Sequence, residues 1–167
     1  AIETEIVSKL TDDEFEVAYK DNVNVGEATV TVTGIGNYKG MLTYNFNITQ
    51  KSIAEDDFIV DTESKVYTGE KLTTEITSEL ALGEDYKIEY AKNVNVGEAT
   101  VTISGVGNYA GELVYKFEIT KKDISAEDFT IDVSDKVFTG NEIIADIETE
   151  LVEDKDYEVI CENNINV

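Results

Sequence analysis

The chain repeats itself at a fixed spacing of 71 residues. N-V-N-V-G-E-A-T-V-T-V-T-G-I-G-N-Y-K-G, starting at Asn22, returns as N-V-N-V-G-E-A-T-V-T-I-S-G-V-G-N-Y-A-G from Asn93. A third copy opens as N-I-N-V at Asn164. K-V-Y-T-G-E at Lys65 recurs as K-V-F-T-G-N at Lys136, again 71 positions on. A period sustained over the whole chain is the mark of an array, in which each unit is one small folding element supported by its neighbours. Catalysis needs unlike residues converging on one point, whereas near-identical units build length, multivalency or a scaffold. The period predicts a partial repeat over residues 1–51, a complete one over 52–122 and a second partial one over 123–167. The chain reads as a window from a longer repeat protein.

Alternation within the copies predicts strands. Tyr86, Ile88 and Tyr90 interleave with Lys87 and Glu89, and Phe15, Val17 and Tyr19, then Tyr157, Val159 and Cys161, take the same places. Ala99, Val101 and Ile103 match Ala28, Val30 and Val32, and Leu113, Tyr115, Phe117 and Ile119 match Leu42, Tyr44, Phe46 and Ile48. Period two in Val, Ile, Thr and Tyr is a half-buried antiparallel strand. One core is therefore expected from Ile88, Tyr90, Val101, Ile103, Tyr115 and Phe117. Further strands are expected over residues 58–61, 66–67 and 75–80. A short helical turn is expected at Ser125-Ala126-Glu127-Asp128, an S-x-x-D capping pattern. Turn signals between strands point to an all-β fold of tandem immunoglobulin-like β-sandwiches, without the Cys…Trp…Cys signature of antibody domains.

Two local expectations follow from comparing copies. I-E-T-E-I-V at Ile2 matches I-E-T-E-L-V at Ile147, which makes residues 8–14 a loop three residues longer than 153–156. The junctions around Gln50-Lys51-Ser52 and Lys121-Lys122-Asp123 contain neither Gly nor Pro, so they predict stiff connections, with Ile53 and Ile124 packing between neighbours.

Composition limits function. The formal net charge is −23, from 36 acidic and 13 basic residues, with no His, Pro or Trp. All the basic residues are Lys. Such a field repels nucleic-acid backbones and anionic lipid, so neither nucleic-acid binding nor direct membrane insertion is expected. Without His the usual general base near neutral pH is missing, and without Arg the bidentate clamp for phosphate. No enzyme, no catalytic residue and no cofactor are expected. Cys161, the single cysteine, occupies the place of Tyr19 and Tyr90, which reads as a core position.

K-V-Y-T-G at Lys65, D-Y-x-I-x-Y at Asp85, N-x-N-x-G-x-A-T-V-T-I at Asn93 and G-N-Y-x-G at Gly107 together resemble a family of bacterial immunoglobulin-like repeats, similar to the MBG or YDG type. The resemblance covers the whole chain. It implies tandem repeats of a Gram-positive surface protein, extracellular or attached to the cell wall, serving as a stalk or spacer. The neighbouring repeats are then the first partners. Surface glycans, host proteins or other copies of the chain are further ones. A carbohydrate-binding or adhesive module and a filament subunit are the alternative functions.

Several residues carry a chemical reading beside a structural one. Asp12, Asp13, Glu14, Asp56 and Asp57 form acidic clusters that could bind calcium loosely, or are simply solvated faces. The N-V-N-V-G loop departs from calcium-loop spacing and reads as turn chemistry, with Asn and Gly accepting positive φ. Tyr38 and Tyr109 could stack on sugar rings, but a Tyr in a glycine-rich corner more often packs and anchors its hydroxyl. Lys65 and Lys136 could join Asn93 or Asn108 in an isopeptide crosslink, or protect a sheet edge.

Overall fold

The computed structural model describes residues 1–162 and is almost entirely β. It forms two compact units, the first spanning Ala1–Lys121 and the second beginning at Lys122. The third copy's start at Asn164 lies outside the described residues.

The first unit opens with a three-stranded antiparallel meander: β1 (Phe15–Lys20), β2 (Gly26–Gly34) and β3 (Met41–Ile48). The β2–β3 register sets Ala28 opposite Phe46 and Val30 opposite Tyr44, as alternation requires. After β4 (Lys51–Ser52) comes a 3₁₀ turn, Glu55–Asp57, closed by the Asp57 carboxylate accepting from the Ala54 N–H at 2.8 Å. β5 (Phe58–Val60), β6 (Lys65–Val66) and β7 (Ile76–Ser78) are short. The second meander is β8 (Tyr86–Ala91), β9 (Gly97–Gly105) and β11 (Glu112–Thr120), with β10 (Tyr109–Ala110) between the last two. Its sheet runs β6-β11-β9-β8, with β6 parallel to the end of β11. β5 pairs antiparallel with β7 and lies over one face of that sheet.

The core of the complete repeat has two lobes instead of one. Ile53, Phe58, Tyr86 and Ile103 form the first, flanked by Val60, Ile76, Ile88 and Tyr115. Ala99, Phe117 and Ile119 form the second, flanked by Leu72 and Tyr90. Side chains on one strand divide between the lobes because two different cover segments, 52–60 and 72–74, lie over different stretches of the sheet. Ile53 is 7 % exposed within its own repeat's core, so it does not pack between neighbours. Ile124 is exposed.

Hydrogen bonds correct the alignment of the first copy. The Ile2 N–H donates to Asn22 O as Leu72 N–H donates to Asn93 O, and the Tyr19 and Tyr90 hydroxyls receive the N–H groups of Thr4 and Thr74. Ser8 Oγ accepts from the Leu10 N–H just as Ser78 Oγ does from Leu80. Ile6 thus stands where Ile76 does, and the turn before β1 is one residue shorter than its counterpart. No three-residue insertion exists. The I-E-T-E match was offset by four positions, and the strand partners outweigh that short identity.

The second unit repeats the same entry. Its 3₁₀ turn, Ala126–Asp128, forms where the S-x-x-D pattern placed it, with Asp128 accepting from both the N–H and the hydroxyl of Ser125. These bonds, with Lys122 nearby, hold the Asp128 carboxyl below its ordinary range. β12 (Thr130–Ile131) pairs with β13 (Ile147–Glu148) in a two-residue ladder. Phe129 meets Tyr157 edge-on at 5.0 Å, repeating the Phe58–Tyr86 pair. The strand expected through Tyr157, Val159 and Cys161 does not form within the described residues, where no described strand pairs with it. Cys161 is accordingly exposed instead of buried.

Candidate functional site

The feature unique to an array is the join between repeats, and one such join lies wholly inside the first unit. β3 ends at Ile48, and the chain reaches β4 two residues after Thr49. There it meets the G-V-G-N-Y-A-G loop of the complete repeat. β4 pairs in parallel with β10, Lys51 opposite Tyr109 and Ser52 opposite Ala110. The Lys51 N–H donates to Asn108 O at 3.0 Å and the Ile53 N–H to Ala110 O at 2.9 Å.

Side chains clamp this path from both sides. The Gln50 amide donates to the carbonyls of Gly107 and Tyr109, at 3.0 and 2.9 Å. Asn108 Oδ1 accepts from the Val25 N–H at 2.8 Å, and its Nδ2 donates to Asn24 Oδ1 at 3.0 Å. The Lys51 ammonium stands 5.9 Å from the centre of the Tyr109 ring, a cation–π distance. Residues of the first copy's N-V-N-V-G loop and linker thus bond to the G-N-Y-A-G loop of the next.

The loop can do this because of its backbone. Gly105 and Gly111 close its base through an N–H to carbonyl bond of 2.9 Å, and Gly107 takes φ +61°. The first copy closes the same loop through Gly34 and Gly40. Positive φ in the N-V-N-V-G connection falls on Asp21 and Lys92, both at 56°, and on Gly26 and Gly97, not on the asparagines. The asparagines work through their amides instead. Asn22 and Asn93 donate to the carbonyls of Ile2 and Leu72, and Asn24 reaches Asn108.

The other candidate residues lie as follows. Tyr109 is half-buried, packed on the first core lobe under Lys51, while Tyr38 is exposed. Lys65 bonds Asp61 at 2.8 Å and thereby lowers that carboxyl's pKa. Lys136 bonds Asp132 in the same way and holds it well below the carboxylate range. Both lysines engage a carboxylate four residues earlier, whereas Asn93 engages Leu72 and Asn108 engages the preceding copy. Glu14 accepts from the Thr11 N–H, Asp13 from the Thr11 hydroxyl, and Asp57 closes the 3₁₀ turn. Among the described residues no three of His, Cys, Asp or Glu converge as metal ligands. No described helix is long and apolar enough to cross a membrane.

Sequence reading gave Asn24 to a turn, Asn108 to a turn or a crosslink with Lys65 or Lys136, and Gln50 no role beyond its place in the junction. The available signal was the pairing itself: every full N-V-N-V-G loop is accompanied by a G-N-Y loop at fixed spacing, more asparagine than a turn alone requires. Comparison with protein-family models, with curated proteins and with solved structures returns no match.

Replacing Asn108 by Ala removes the acceptor for Val25 and the donor to Asn24. The pair is solvent-accessible, so the expected loss is about 0.5–1.5 kcal/mol. Amide exchange at Val25 should quicken while Ile53, bonded to the Ala110 carbonyl, keeps its protection. Equal exchange at Val25 in both proteins would show the clamp to be inert.

Proposed function

We propose that this chain is a stretch of structural stalk repeats from a bacterial cell-surface or extracellular protein, built as tandem immunoglobulin-like β-sandwiches that hold other modules away from the cell. The observation that carries this reading is the join at Gln50–Ser52. It has no flexible spacer and is bonded from both sides through Asn24, Val25, Gln50, Lys51 and Asn108. The asparagines of both halves recur in sequence, while Lys121 stands where Gln50 does. Asn95 repeats Asn24, and Asn37 repeats Asn108. A repeat that carries both halves can be joined to a neighbour at each end. Asn22, Asn24, Asn93, Asn108, Lys65 and Lys136 are engaged in the fold or the join, which supports a non-catalytic role.

A net charge of −23 favours extension further. It is screened beyond roughly 8 Å at physiological salt, so it supports the join without replacing it. Proteins carrying two, three and four complete repeats should scatter X-rays with a largest dimension that grows nearly in proportion to repeat number. Growth as the square root of repeat number would mean freely jointed beads and would remove the stalk reading.

A further inference from the structure

One edge of the complete repeat's sheet is closed at its two ends and open between them. β4 lies in parallel against β10 at Tyr109 and Ala110, and β6 in parallel against β11 at Ile119 and Thr120. Between these contacts the chain leaves the edge. After Ile53 it turns through Glu55–Asp57, runs as β5 against β7 over the sheet's face, and returns at Lys65. Residues 112–118 of β11 thus pair with β9 on one side and with no described strand on the other.

The ladder shows which groups this gap presents. The Gly105 N–H donates to Gly111 O, and the Tyr67 N–H to Thr120 O. Antiparallel partners bond at alternate residues, so the odd-numbered residues of β11 bond to β9 and the even-numbered ones point away. The N–H and C=O groups of Glu112, Val114, Lys116 and Glu118 accordingly meet no partner among the described residues. Neighbouring repeats leave the gap open. The preceding repeat and its linker are in place, and their bonds reach residues 107–110 and no further along β11. The first copy has its following repeat in place, and its matching residues 41–47 pair only with β2.

Shape and charge select the occupant. With β4 and β6 at its ends the gap is recessed, so a nine-residue strand like β11 from another folded sandwich would strike them. A short extended peptide would not. The surroundings are acidic. Glu55 stands close enough to Tyr115 to raise its hydroxyl pKa, adding to the effect of burial. Glu55, Glu112 and Glu118 have no ion-pair partner among the described residues, and Glu112 accepts only from the Ser104 hydroxyl, at 3.3 Å. Lys116, the cation within the gap, is held by Glu98 at 2.8 Å. Leu113 and Tyr115 are half-buried on the covered face, while Val114 is 60 % exposed on the other.

We propose that this gap in β11 binds a short extended peptide of alternating apolar and basic character as an added strand of the sheet. Its apolar side chains lie beside Leu113 and Tyr115, and its cationic ones meet Glu112 and Glu118 on the outer face. The backbone groups of the four outward residues supply the ladder, so the peptide's pattern matters more than its individual side chains.

Titrating the end-capped peptide K-V-T-V-T-V-K into the isotope-labelled 167-residue protein tests this by nuclear magnetic resonance. The peptide reads alike in both directions and so fits either strand polarity. Saturable shifts should centre on the Val114 and Lys116 amides, and their hydrogen exchange should slow. Val114→Pro removes an outward N–H and no bond to β9, a change that sheet edges tolerate. It should keep its circular dichroism and lose binding. The double change Glu112→Lys and Glu118→Lys leaves the backbone intact, and decides the matter even where Val114→Pro fails to fold. It should lose the basic peptide and gain E-V-T-V-T-V-E, which the parent does not bind. A parent that shows no saturable binding overturns the proposal. So do unchanged exchange at Val114 and Lys116, a folded Val114→Pro that binds like the parent, or a charge-reversed protein that keeps its preference for the basic peptide.

Discussion

Replacing Phe117 by Ala is expected to cost on the order of 3–5 kcal/mol, the usual price of truncating a buried aromatic and leaving a partly collapsed cavity. Phe117 is 3 % exposed and sits between Ala99, Ile119, Leu72 and Tyr90 in the second core lobe. Its neighbours are poorly placed to fill the gap. Ile119 is fixed by pairing with Gly97 on one side and Lys65 on the other, and Tyr90 is anchored through its hydroxyl to Thr74. Thr102, one residue from Val101 on the opposite face of β9, should lose less than about 1 kcal/mol on change to Ala. Urea midpoints of the two variants, read with an unchanged slope, give the comparison. Similar midpoints would show the face assignment of β9 and β11 to be wrong.

Gly105→Ala is expected to cost roughly 1–3 kcal/mol by overpacking, and to act on the join as well as on the core. A Cβ at Gly105 would lie 2.7 Å from the Ala110 nitrogen and 2.9 Å from its Cα and carbonyl carbon. These are backbone atoms of β10, so nothing flexible can move aside. Relief requires the loop carrying Asn108 and Tyr109 to shift, and that loop holds Gln50 and Lys51. The first copy provides an internal control. At Gly34 the same methyl would meet the backbone nitrogen of Lys39 at 3.1 Å and the carbonyl carbon of Tyr38 at 3.2 Å, contacts a small adjustment relieves. Thermal unfolding should therefore drop further for Gly105→Ala than for Gly34→Ala. The reverse order would sink the account of loop closure.

Much of the fold was legible in the sequence because strand alternation is a local signal. β2, β3, β8, β9 and β11 fall where Val, Ile, Thr and Tyr alternate, and the ladders pair the expected faces. Features that depend on partners were not legible. Ile53 sits beside a junction in sequence but is drawn into its own repeat's core by Phe58 and Ile103. Ile2 matched Ile147 by identity, yet its bonds to Asn22, and those of Thr4 to Tyr19, put it elsewhere. The joining asparagines looked like turn formers because a single-repeat pattern carries no record of what the next repeat offers. Cys161 read as buried from its place in the period, but a place in the period buries a side chain only when the adjoining strands are formed.

The parallel pairing of β6 with β11 decides how a repeat would respond to being pulled. The chain enters the repeat at β4 and leaves at the end of β11, where Ile119 and Thr120 lie against Lys65 and Val66. The Tyr67 N–H adds a bond to the Thr120 carbonyl, and the Thr120 hydroxyl one to that of Lys65. Tension applied through the two ends drags these strands past each other along their length. The bonds across them are then loaded together in shear, instead of opening one after another like a zipper. In the complete repeat, resistance to force is then expected to rest on this short ladder together with the parallel β4–β10 pair through which the chain enters.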